Sequence, residues 1–281
     1  MSNRTAPAVD PAQTVATNAR GQAVPVGTAP ITADAFAPRD DTAVTWLGGA
    51  GLLINARGTR LMIDPVLEGF DMPVVFEAPI APADVPALDA VLITHIDNDH
   101  FSRATCRDLA GACPSYHAPR YVAEVARDEE HLPAIGHAIG DTFAVGCVTA
   151  RLTPAWHTWQ NDSKKWGYRV WQREDYCGYW FDTPDGTIWL PGDSKLLPEQ
   201  LEMPEPDLIL LDFSDNEWHI TFEGAVRLAN AYPHARLLCI HWGTVDAPDW
   251  STFNGDPRVL ADHVDRPERV LAPLPGAAVT L

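Results

Sequence analysis

From Thr42 onward the chain alternates short apolar runs with glycine- and proline-rich turns. Residues 43–47, 52–54 and 60–63 are three such runs. They are divided by Gly48-Gly49-Ala50-Gly51 and by Arg57-Gly58. Runs of this length between turns predict a β-meander. Residues 90–93 and 208–211 are continuous apolar runs, as expected of strands covered on both faces. Further strands are expected at 141–152, 167–172, 176–182, 236–240, 269–271 and 278–281. Pro184-Asp185-Gly186 predicts a hairpin turn into 188–190. Helices are expected from Ser102, a good N-cap, to Gly111, and over 119–130 and 257–264. Phe222, Ala225, Val226 and Ala229 share one face of another. Strands first, then strands mixed with helices, predict an α/β fold of two sheets covered by helices.

Residues 1–40 break this pattern. They are rich in Ala, Pro, Thr and Asp and carry no sustained apolar period. Such a segment does not offset its own ordering entropy. It is expected to be a flexible arm, or to order only against a neighbour. The expected organisation is therefore an arm over 1–40 and one domain over 41–281.

Composition narrows the function classes. The 281 residues hold 38 acidic and 20 basic side chains, a formal net charge of −18. That balance excludes charge-driven nucleic-acid binding and docking on anionic lipid through a basic patch. No run reaches the ~18 apolar residues of a membrane helix, and the N-terminus shows no apolar signal core. The five cysteines form no C-x-x-C pair and are read as small buried side chains. Odd cysteine usage points to a reducing, cytoplasmic setting. A small-molecule substrate is expected, and a homo-oligomer is compatible with the sequence.

The chemistry concentrates at Thr94-His95-Ile96-Asp97-Asn98-Asp99-His100, directly after the apolar run 90–93. A strand end is a rigid support from which a loop can aim several side chains at one point. Three more candidate ligands stand after expected strands. They are His157 in Thr153-Pro154-Ala155-Trp156-His157, Asp193 in Pro191-Gly192-Asp193, and His241 in Ile240-His241-Trp242-Gly243. Together His95, Asp97, Asp99, His100, His157, Asp193 and His241 offer seven nitrogen and oxygen donors without sulfur. That set suits two divalent metals with an open position between them. His219, in Trp218-His219-Ile220-Thr221, is a candidate proton donor or substrate contact. Trp156, Trp159, Trp218 and Trp242 adjoin candidate site residues and are expected to line a pocket. His117, His131, His137, His234 and His263 lack such a context.

The ordered His, Asp and His motifs resemble the metallo-β-lactamase-fold superfamily over roughly residues 44–244. Within it, Thr45-Trp46-Leu47-Gly48, Ile63-Asp64-Pro65, Pro191-Gly192-Asp193, His219-Ile220-Thr221 and Ile240-His241-Trp242-Gly243-Thr244 look most like one branch. That branch holds ascorbate-phosphate lactonase and N-acyl-phosphatidylethanolamine phospholipase D. The resemblance implies an αββα sandwich. It implies a first metal on His95, Asp97 and His157, a second on Asp99, His100 and His241, and Asp193 between them. It implies that Asp64 supports the metal loop from behind.

Asp97 departs from the family, which carries His at that place. The added carboxylate is a harder ligand and moves preference from zinc towards manganese or iron. A carboxylate there also resembles the flavodiiron proteins. The leading expectation is a hydrolase in which a hydroxide held by two metals attacks an ester, lactone, amide or phosphodiester. Alternatives are a diiron oxidase or oxygenase, and a metal-binding protein without turnover.

Overall fold

A computed structural model describes residues 9–281. Near its start, β1 (Val15–Thr17) and β2 (Ala23–Pro25) form a small antiparallel hairpin. Two seven-stranded sheets follow. The first contains β3 (Thr42–Gly48), β4 (Gly51–Ala56), β5 (Thr59–Ile63), β6 (Ala90–Leu92), β7 (Tyr116–Pro119) and β8 (Ala134–His137). The second contains β9 (Thr142–Val145), β10 (Val148–Pro154), β11 (Cys177–Thr183), β12 (Gly186–Leu190), β13 (Leu208–Leu211), β14 (Arg236–Cys239) and β15 (Val270–Leu271). The last strand, β16 (Ala278–Thr280), returns to the first sheet and pairs antiparallel with β3. In each sheet antiparallel meander strands give way to parallel ones, at β5–β6 and at β12–β13.

Side-chain alternation explains the layers. Val44, Trp46, Leu52, Ile54, Leu61 and Ile63 pack into the core shared with the second sheet. Their neighbours Leu47, Leu53 and Met62 join a second core with Val122 and Ala126 of the helix Arg120–Asp128. Both faces of the first sheet are thus covered, which is why 90–92 reads as a continuous apolar run. Ala225, Leu228 and Ala229 of the helix Phe222–Ala231 pack against the first of these cores, with the second sheet. The result is two mixed sheets flanked by helices, the αββα arrangement expected. Among the described residues no helix is long and apolar enough to cross a membrane.

Two expectations need correction. Residues 167–172 form no strand; short 3₁₀ turns at Lys164–Trp166 and Arg173–Asp175 flank an irregular loop. The Asn161 side chain bonds both the amide and the carbonyl of Trp171, in place of a strand partner. Residues 141–152 are two strands, turned at Gly146 with φ 55°.

Of the expected arm, residues 1–8 lie outside the described residues. Residues 9–40 lie along the body, the second of the two arrangements expected. Main-chain bonds tie them at Ala272 N to Val9 O, Ala29 N to Pro275 O, and Ile31 N to Pro79 O, each 2.8 Å, while Val15 and Ala23 enter one core and Phe36 the other. The buried Gln22 amide donates to the Val245 carbonyl at 2.6 Å. Gly243, at φ 62°, permits this approach, since a Cβ there would come 2.7 Å from the Ala23 carbonyl oxygen.

Candidate metal centre

The candidate residues come together from the ends of separate strands. β6 runs into the loop carrying His95, Asp97, Asp99 and His100. β10 leads to His157, β12 to Asp193 and β14 to His241. Open α/β sheets commonly place ligand sites beyond the carboxyl ends of their strands. His95, Asp97 and His157 offer donor atoms within 4.8 Å of one another, as do Asp99, His100 and His241. Asp97 Oδ2 lies 3.4 Å from Nε2 of both His95 and His157. Asp99 Oδ2 lies 3.3 Å from His241 Nε2 and 3.9 Å from His100 Nε2. Asp193 Oδ2 stands 3.0 Å from His100 Nε2 and 3.6 Å from His241 Nε2. It also groups with His95.

Close packing at Asp193 depends on Gly192, at φ 74°. A Cβ there would lie 2.6 Å from the Cys177 carbonyl oxygen. His241 itself has φ 62°, and its amide donates to the Gly49 carbonyl at 2.8 Å. Asp64 is likewise held at φ 45°. Such backbone is costly away from glycine and persists where its surroundings fix it.

Each of the four imidazoles has an acceptor at Nδ1. His100 Nδ1 donates to Asp64 Oδ2 at 2.8 Å. Thr94 secures that carboxylate through its amide at 2.8 Å and its hydroxyl at 2.6 Å. With the Thr94 proton committed to Asp64, His95 Nδ1 donates to Thr94 Oγ1 at 3.0 Å. His157 Nδ1 donates to the Trp218 carbonyl at 3.1 Å. His241 Nδ1 faces Ser214 Oγ at 3.4 Å, and that hydroxyl donates to Asp212 Oδ1 at 2.6 Å. A proton fixed on Nδ1 leaves the Nε2 lone pair free, the tautomer a metal requires.

The donor set fits metal on a further observation. His95 Nε2 and Asp97 Oδ1 are buried polar atoms without a hydrogen-bond partner. A buried unpaired polar atom costs about 1–3 kcal/mol, so it calls for a ligand or a role.

Burial opposes every charge here, yet the charges hold one another in place. Asp97, Asp99, Asp193 and Asp212 are desolvated but kept below the usual carboxylate range by the surrounding imidazoles. Conversely, burial disfavours charge on His100 and His157, but Asp193 and Asp97 respectively raise them. His241 is pushed up to about 9, with Asp193 and Asp99 overcoming its burial. His95 alone among the four is lowered, by burial and then by His100 beside it.

The fold and these motifs meet in a single assignment. The family described as the beta-lactamase superfamily domain matches residues 59–242. The chain belongs to the metallo-β-lactamase superfamily. A metal-dependent hydrolase of Archaeoglobus fulgidus is 25% identical over 207 residues, covering 72% of this chain and 83% of that one. The solved isothiocyanate hydrolase from Delia radicum gut bacteria aligns with a TM-score of 0.67 at 18% identity, over 84% of this chain and 98% of that one. CmlA, a diiron beta-hydroxylase from Streptomyces venezuelae, aligns with a TM-score of 0.64 at 15% identity, over 86% of this chain and 54% of CmlA. Both structural likenesses show the superfamily fold.

Above the donors lies a cavity of about 410 Å³. Trp159 and Trp218 line it, as do Asp97, Asp99, His157 and His219. Two expected pocket residues do not. Trp242 is fully buried and stacks on Trp46 at 5.4 Å between ring centres, so it belongs to the core. Trp156 packs edge-on against Tyr176 at 5.6 Å, beneath the loops. Trp166, Trp250, Phe70 and Phe253 complete the aromatic wall unforeseen in the sequence. They come from loops without a regular period. Asp212 and Ser214 were also missed, although Asp212 follows the apolar run of β13 just as Asp193 follows β12. His219 lines the cavity with Nδ1 2.6 Å from Asp212 Oδ2.

Proposed function

We propose that this chain is a hydrolase using two divalent metals on a small-molecule ester, lactone, amide or phosphodiester. The observation that carries this reading is the convergence of four Nδ1-anchored imidazoles and three carboxylates. Two of their buried atoms, His95 Nε2 and Asp97 Oδ1, lack any other partner. The metal-dependent hydrolase of Archaeoglobus fulgidus supports it. Residues 41–281 are the proposed catalytic domain, with 1–40 an appendage to it.

His95, Asp97 and His157 would hold one metal, and Asp99, His100 and His241 the other, with Asp193 reaching both. When bound, such ions supply a Lewis acid and lower the pKa of coordinated water. Asp64 and Thr94 keep His95 and His100 in the ligating tautomer. Asp212 holds His219 at Nδ1, which leaves His219 Nε2 for a leaving group in the cavity. That dyad is placed to deliver a proton as the bond breaks. Trp159 and Trp218 exclude water from one side of the cavity.

Asp97 favours a second reading, a diiron oxidase or oxygenase. Its carboxylate stands between two imidazoles and hardens the first half of the site. One experiment separates the two readings. Protein stripped by chelation is reloaded with manganese, iron or zinc. It is then assayed against an ester, lactone, amide and phosphodiester panel, with and without oxygen. Metal-restored hydrolysis independent of oxygen is expected. Turnover that needs iron and oxygen would replace hydrolysis with the second reading. No turnover with any metal would leave a metal-binding protein.

A further inference from the structure

A second apolar chamber, of about 210 Å³, lies beside the first. Its lining includes Val66, Leu67, Val74 and Phe76. The two linings share Phe70, Met72, Asp99 and Phe253, so the chambers abut along these four side chains. Asp99 is also a member of the donor cluster with His100 and His241. The proposed reacting centre therefore stands at a junction. The chamber beneath Trp159 and Trp218 opens on one side of it, and the chamber running to Phe76 on the other.

The inner end of the second chamber is shaped by the backbone. Gly48, at φ 98°, lies so close to Phe76 that a Cβ there would meet the ring at 2.3 Å. A cavity of about 150 Å³ with apolar walls accepts a benzene ring. The second chamber is large enough for one ring or a short alkyl chain. The first lies in the range of about 300–1,000 Å³ that suits a small-molecule group.

Charge narrows the ligand further. Among the described residues, Lys165 is the one Lys or Arg side chain lining either chamber, and its Nζ lies 3.4 Å from Asp71 Oδ2. Asp71, Asp97, Asp99 and Asp193 line the first chamber, and Glu68 the second. Three of these carboxylates would cancel about three of the four charges that two divalent ions bring. Little positive potential remains to hold an anion against this acidic lining.

We propose that the substrate is uncharged and carries an apolar group on each side of the bond that reacts, as a neutral ester or amide does. The first chamber takes the larger group and the second a ring or short chain, while the polar linkage sits at Asp99. The identity of the reaction rests on the hydrolase reading; the shape and charge of the ligand do not. Among the substrate classes named above, this selects neutral esters, lactones and amides over phosphodiesters.

Binding tests this without turnover. The metal-loaded full chain is titrated with N-benzylbutanamide, N-benzylformamide and dibenzyl phosphate, read by tryptophan fluorescence and calorimetry. Each methylene taken into an apolar chamber tightens binding roughly fourfold. N-benzylbutanamide is therefore expected to bind at least about tenfold more tightly than N-benzylformamide, and more tightly than dibenzyl phosphate. Val74 and Ala78 are exposed residues of its lining, and Val74→Trp and Ala78→Phe fill the second chamber. Each should remove the advantage of the butanamide while leaving the formamide within about twofold. Equal affinities for the two amides in the unaltered chain would overturn the second chamber as a subsite. Preference for dibenzyl phosphate would overturn the uncharged substrate. Two-sided amide binding with no hydrolysis of any ester, lactone, amide or phosphodiester would uphold this inference and end the hydrolase reading.

Discussion

The two halves of the candidate centre use the same ligand types but are supported differently. Around Asp99, His100 and His241, the imidazoles lean on anions. His100 meets Asp64 at 2.8 Å, and His241 meets Asp212 through Ser214. Around Asp97, the imidazoles lean on neutral groups, the Thr94 hydroxyl and the Trp218 carbonyl. The two unpartnered donor atoms also lie in this half. An anionic partner raises the basicity of an imidazole more than a neutral one does. The Asp99 half is therefore built from better imidazole donors, and the Asp97 half gains its strength from the added carboxylate. The difference teaches that one ligand change in the first coordination sphere can be read only together with the groups behind it.

Asp193 belongs to both halves, and its loss should be the most damaging. Asp193→Ala is expected to lose at least one metal per chain and nearly all activity, measured by metal analysis and turnover together. Two full metal equivalents retained in that variant would remove Asp193 from the centre.

Asp64→Asn strikes the Asp99 half directly, at His100, and reaches the Asp97 half only through Thr94 and His95. It keeps the side-chain shape but removes the charge that fixes His100. A lost supporting partner of this kind lowers metal affinity about 10–100-fold. Competition with a metal-binding dye should show the site on His100 and His241 weakened more than the site on His95 and His157. Equal weakening of both would mean that the halves do not differ in their support.

The fold was legible where strands buried on both faces read as continuous apolar runs between turns. The runs at 90–93 and 208–211 each placed a strand, and the polar residues just beyond the first marked His95, Asp97, Asp99 and His100 as donors. Asp212 stands in the same relation to β13 and could have been found by the same reasoning. The pocket wall was less legible. Trp242 and Trp218 both adjoin site histidines in sequence. Yet Trp242 turns into the core against Trp46, while Trp218 lines the cavity. Proximity in sequence does not say which way a loop side chain turns. Residues 9–40 were harder still. They are held by main-chain hydrogen bonds together with scattered side chains such as Val15, Ala23 and Phe36, whose spacing makes no regular period.

Acidity should weaken the centre progressively. His241 is held up to about 9 and His100 and His157 are also raised, so the metal-free protein carries protons that metal must displace. Affinity is therefore expected to fall as pH drops below about 9, by up to roughly tenfold per unit for each proton released. Calorimetric titration in buffers of different ionisation enthalpy counts those protons. A pH-independent affinity with no proton release would contradict the charge pattern of the site.

The contrast between the halves meets its most direct test at Asp97. Wild type and Asp97→His are grown side by side, purified without added metal, and analysed for manganese, iron and zinc. Two metals per chain are expected in the wild type, with manganese or iron exceeding zinc, because the carboxylate hardens the first half. Asp97→His should keep two metals and shift towards zinc. Identical zinc loading in both proteins, with neither manganese nor iron in either, would contradict the role assigned to Asp97.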